Sequence, residues 1–129
     1  MAELRDEKDR NRDYRAGQLH AAVAALQNMA GVGSGRMMSP GFVSLAALSP
    51  GKNVRGALFE VGQYLVKAAE RSNGRGHAAA DEIFATLPEL LRGCGGLVDG
   101  LGPQGQADFK DGCRDQFAVY KEKYGPVVG

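Results

Sequence analysis

Between Pro50 and Gly74 the chain reads PGKNVRGALFEVGQYLVKAAERSNG, and this one segment carries two apolar stripes. Val54, Leu58, Val61, Leu65 and Ala68 recur at intervals of four and three residues, the spacing that puts side chains on one face of an α-helix. Ala57 and Tyr64 flank that face. Phe59 and Val66 are seven residues apart and share an azimuth. At about 100° per residue they fall on nearly the opposite side. A surface helix needs one apolar face. A helix with two either runs through the middle of a bundle or gives its second face to another chain. Gly56 and Gly62 lie inside it, each costing about 1 kcal/mol of helix propensity unless close packing uses the space.

The remaining residue choices favour helices throughout. Alanine and leucine dominate the apolar set, with one isoleucine (Ile83), one threonine (Thr86) and no tryptophan, whereas strands are enriched in β-branched and aromatic residues. A chain of 129 residues fits one domain with a single core. The expected fold is therefore all-α, a single-domain bundle of four to five helices with glycine-rich connections. Residues 16–129 form the bundle, and residues 1–15 form a charged N-terminal arm or helix extension.

The individual helices follow from periodicity. A first helix runs through RAGQLHAAVAALQNMA, with Leu19, Ala22, Val23, Leu26 and Met29 on one face. Ahead of it, Asp6 with Arg10 and Asp9 with Arg12 have the four- and three-residue separations of helical ion pairs. Ser39-Pro40-Gly41 and Ser49-Pro50-Gly51 both read as helix starts, since serine caps well and proline suits the first helical position. The first opens a short helix, PGFVSLAAL, and the second opens the two-faced one. HAAADEIFATLPELLRG makes another, with a kink or break expected at Pro88. GCGGLVDGLGPQGQ is too rich in glycine for a regular element, and a connection of that length is either functional or mobile. ADFKDGCRDQFAVYKEKYG closes the chain, with Phe109, Cys113, Phe117, Tyr120 and Tyr124 on one stripe and Gly125-Pro126 as the stop.

AGVGSGRMMSPG, residues 30–41, resembles a phosphate loop only superficially. A dinucleotide fingerprint follows a strand and opens a helix, and a P-loop needs Gly-Lys-Ser/Thr after its glycines. Here the glycines follow a helix, and Arg36-Met37-Met38 stands where lysine and hydroxyl are required. Gly31 suits the left-handed position just past a helix end, so the run reads as a hinge.

Catalytic and metal chemistry find little material. Cys94 and Cys113 are the only cysteines and do not form a C-x-x-C pair. No histidine stands at ligand spacing, so neither metal nor cofactor is expected. Both thiols are expected to be free and buried. His20 lies at the edge of an apolar stripe, and His77 precedes an alanine run. Cys94 within RGCGGL is the strongest candidate nucleophile, with only Arg92 nearby to favour a thiolate. The chain is expected not to be an enzyme. No apolar run approaches the roughly 18 residues of a membrane span, and the N-terminus MAELRDEKDR lacks the apolar segment of a secretion signal. The cytoplasm is the expected location.

The formal net charge is +1, but charge is unevenly spread. Residues 31–80 hold Arg36, Lys52, Arg55, Lys67, Arg71 and Arg75 against Glu60 and Glu70, and residues 81–129 lean acidic. Lys52, Arg55, Lys67, Arg71 and Arg75 are the candidate nucleic-acid contacts. The closing segment FKDGCRDQFAVYKEKYG resembles the aromatic and basic last helix of the small helical subunits in type III CRISPR effectors. That likeness covers this segment alone, and it implies RNA contact within a nucleoprotein filament.

The first reading is a non-catalytic structural or adaptor subunit of a larger assembly. It would bind a protein partner or a second copy of itself by helix docking, with Phe59, Tyr64 and Val66 as interface residues. The alternative is a small helical RNA- or DNA-binding subunit using the basic middle region.

Overall fold

The computed structural model describes residues 6–31, 33–71, 75–125 and 128. Among the described residues it is an all-α bundle of five helices with no strand. They are α1 (Glu7–Ala30), α2 (Pro40–Leu48), α3 (Pro50–Arg71), α4 (Arg75–Gly93) and α5 (Pro103–Tyr124), with a 3-10 turn at Gly33–Met38 between α1 and α2.

The middle of the bundle is α1, not α3. From Ala16 to Ala30 every residue of α1 except Gln18 and Asn28 is buried, and α3, α4 and α5 all pack around it. A helix apolar on all sides belongs in the interior. The run Ala21, Ala22, Ala24 and Ala25 makes this workable, because methyl side chains let neighbouring helices approach from several directions. Leu19, Val23 and Leu26 fill the gaps between them and are at most 1% exposed. Complete burial of each is worth about 1.5–3 kcal/mol.

The closest approach is between α1 and α5. A Cβ added at Gly17 would overlap the carbonyl oxygen of Phe109, and one added at Gly112 would overlap the carbonyl oxygen of Tyr14. Each glycine thus admits the backbone of the other helix. Above and below this crossing, Phe109 and Cys113 enter the core, and Tyr14 donates a 2.8 Å hydrogen bond to Asp115.

Helix ends follow the expected chemistry, with informative exceptions. Gly31 ends α1 at φ 75°, and its N–H donates to the carbonyls of Asn28 and Gln27. Ser39 Oγ accepts from the Phe42 N–H at the start of α2. The first helix begins at Glu7, earlier than its apolar stripe suggests, because Asp6 caps it by accepting from the Asp9 N–H at 2.8 Å. Asp6 is therefore a cap, while Asp9 and Arg12 form the expected ion pair at 3.4 Å. Asp13 is buried and held by Arg12 Nε at 2.9 Å. Residues 7–15 are thus the first turns of α1; residues 1–5 lie outside the described part.

Two further expectations change. Helix α4 continues through Pro88, so of the kink or break expected there the break does not occur. Pro88 sits on the exposed face, where the carbonyl it leaves without a partner can be hydrated. Helix α5 starts at Pro103, inside the segment read as loop, because proline at the first helical position tolerates the glycines around it. The remaining glycine-rich connection is tied to the end of α2 and the start of α3. Gly51 N–H donates to Val98, Gly100 and Leu101 N–H donate to Leu48, and Lys52 N–H donates to Asp99 Oδ1 at 2.9 Å. Asp99 supplies a carboxylate to the first turn of α3, where exposed amide hydrogens attract an anion.

Candidate interaction surface

The inner stripe of α3 packs as its spacing predicts. Val54, Val61 and Ala68 are buried, and Leu58 and Leu65 are partly buried against the same core. The outer stripe is open to solvent in this chain. Phe59 is 89% exposed and Val66 56% exposed, and a Cβ at Gly56 or Gly62 would touch no other atom. An exposed phenylalanine between two glycines in a helix interior has no stabilising role within the monomer.

Tyr64 belongs to the other side and is not an exposed anchor. It is 9% exposed, and its hydroxyl accepts a 3.2 Å hydrogen bond from Gln27 Nε2 on α1. Its position about 150° round the helix from the outer stripe turns it back toward α1. A cleft of about 310 Å³ opens beside it between α3 and the 3-10 turn, lined by Gln27, Arg36, Phe42, Lys52 and Gly56 among others. A larger groove of about 510 Å³ lies between α2 and α5, with Met38, Val43 and Phe117 inside and Lys110 and Lys121 at its edge.

The basic residues of α3 do not form one stripe. Lys52, Arg55 and Lys67 are exposed, with Glu60 and Glu70 interleaved on the same helix. Arg71 is turned to the end of α1, where Nη1 donates to the Met29 carbonyl at 3.3 Å. A cation there offsets the negative end of the helix dipole. Arg75 opens α4, and its side chain lies outside the described residues, as does that of His77.

Two cysteines and a histidine are buried in the core. His20 is 1% exposed and lies between the rings of Phe42 and Phe109. Its Nδ1 is 3.0 Å from Asn53 Nδ2, and its Nε2 is 2.7 Å from the Met37 carbonyl. An amide NH2 can only donate, so Nδ1 accepts and Nε2–H donates, which fixes the neutral tautomer. Burial pushes the imidazole below its ordinary value, only partly opposed by the Met37 carbonyl. The ring thereby ties the 3-10 turn and α3 to α1.

Cys94, the candidate nucleophile, is fully buried, with Sγ 3.3 Å from the Leu90 carbonyl. Burial pushes its thiol up to about 11 and that of Cys113 up to about 12. At neutral pH neither supplies a thiolate. No group of three or more His, Cys, Asp or Glu residues able to hold a metal occurs among the described residues. Nor is any described helix long and apolar enough to cross a membrane.

Comparison with protein families, with curated proteins and with solved structures finds no match to this chain. The segment that resembles the type III CRISPR small subunits is helix α5. Its Phe109 and Tyr120 are core residues, so those two rings are not available for stacking on bases.

Proposed function

We propose that this chain is a non-catalytic structural or adaptor subunit that works by helix docking, with the outer face of α3 as the contact surface and Phe59 and Val66 as its anchors. The observation that carries the reading is the 89% exposure of Phe59 on a helix whose opposite face is already packed against α1 and α4. Interface energy is concentrated in a few apolar or aromatic side chains that become buried on contact. Two buried, unbridged thiols suit work in a reducing compartment such as the cytoplasm.

The test is the native mass of the assembly purified from its own source, with wild-type chain and with Phe59→Ser. Loss of the mutant subunit from the assembly, with its helical circular dichroism unchanged, supports docking through α3. Retention of the mutant at wild-type stoichiometry overturns it. Nucleic-acid binding by the cations of α3 is the competing outcome. Oligonucleotide affinity that falls steeply with salt and is unaffected by Phe59→Ser would favour that reading.

A further inference from the structure

We infer that the partner on the outer face of α3 is a second copy of this chain, packed antiparallel on the same helix. This rests on the docking reading above and adds the identity and register of the occupant. Arg55 and Glu70 stand at the two ends of the face with Lys52 on it beyond Arg55, while Glu60 and Lys67 lie about 110° round the helix from its centre, and all five are exposed. None of them makes an ion pair among the described residues. Arg55 and Glu70 are of opposite sign at equal distances from the midpoint of the face, so the helix is complementary to itself read backwards.

A two-fold axis between Gly62 and Gln63 makes that complementarity concrete. It sets Arg55 opposite Glu70 of the second copy and Phe59 opposite Val66 of the second copy, with each contact occurring twice. Arg55, Phe59, Gly62, Val66 and Glu70 lie within about 80° of helix circumference at 100° per residue. Their separations of four, three, four and four residues are close to the alternation of a coiled-coil seam.

A parallel pair would instead set Arg55 against Arg55 and Glu70 against Glu70, and like charges across an interface are strongly disfavoured. Gly62 acquires a reason in the antiparallel pair, since its missing side chain, one turn from Val66, lets the second Phe59 lie close to the helix. A contact that is isologous, the same patch on both copies, closes at two subunits and does not propagate. Two apolar anchors per copy make a small interface, so the dimer should dissociate on dilution.

Sedimentation equilibrium of the full chain tests this, using wild type, Phe59→Ser, Arg55→Glu and the double variant Arg55→Glu/Glu70→Arg. Wild type should be a monomer–dimer equilibrium, and Phe59→Ser should be monomeric. Arg55→Glu places glutamate opposite glutamate twice and should weaken the dimer roughly tenfold or more. The double variant restores both pairs with reversed signs and should return affinity to near wild type. A dimer in which the double variant is as weak as Arg55→Glu overturns the register. A chain that stays monomeric at every concentration overturns self-pairing. In that case docking itself still stands if Phe59→Ser is lost from the native assembly, and falls with it if the mutant is retained there.

Discussion

Gly17 on α1 lies against the carbonyl oxygen of Phe109 on α5, with no room between them for a methyl group. The same relation holds in reverse at Gly112 and Tyr14, so the central crossing of the bundle is set by two missing side chains. Alanine at either position must push two backbones apart. Gly17→Ala and Gly112→Ala should each destabilise by about 3 kcal/mol, the upper end of overpacking costs. Urea unfolding measures it, and a loss below about 0.5 kcal/mol would show that the helices can separate freely.

The glycines of α3 should behave in the opposite way. With open space around them, Gly56→Ala and Gly62→Ala gain helix propensity and should stabilise the isolated chain by up to about 1 kcal/mol each. Urea unfolding of dilute protein checks the sign. Destabilisation there would mean that these positions are already in use within the monomer.

Protonation of His20 should cost stability in mild acid. Its folded value is depressed by burial, so the unfolded chain binds a proton that the folded one does not. The stability this group contributes is therefore present above its ordinary value of 6.5 and is lost as pH falls from there toward the depressed value. Unfolding free energy measured from pH 7.5 down to about 5 should decline, and His20→Gln should remove that part of the decline. An NMR titration of the native protein in which His20 titrates at its ordinary value would contradict the account.

The start of α3 depends on Asp99, which accepts from the Lys52 N–H across the glycine-rich connection. Asp99→Ala should cost about 1 kcal/mol, as loss of a capping side chain does, while Asp99→Asn should keep most of the hydrogen bond. Thermal unfolding of the two variants separates a cap from a bystander. Equal Tm values for wild type and Asp99→Ala would remove this role.

Much of this arrangement can be read in the residues themselves, and the rest fails for identifiable reasons. The inner stripe of α3 is legible because Val54, Leu58 and Val61 differ sharply in hydropathy from the polar residues between them. Phe59 stands out for the same reason. The central place of α1 is not legible in that way. Leu19, Val23, Leu26 and Met29 mark one face, but alanine also recurs on the other sides of residues 16–30, and that evenness is the sign of all-round burial. Tyr64 is ambiguous because an aromatic ring with a hydroxyl suits an interface as well as a core; the Gln27 amide that receives it is far away in sequence. Asp99 is missed because a cap supplied from a distant connection leaves no local pattern. Gly17 and Gly112 carry no periodic signal at all, since what they provide is space.

The measurement that bears most directly on the whole account is hydroxyl-radical footprinting of Phe59, in dilute chain and in the assembled form. Leu45 on α2, 70% exposed, serves as the reference side chain. Strong protection of Phe59 and Val66 on assembly, with Leu45 labelled equally in both samples, is the predicted result. Equal labelling of Phe59 in dilute and assembled protein would contradict it.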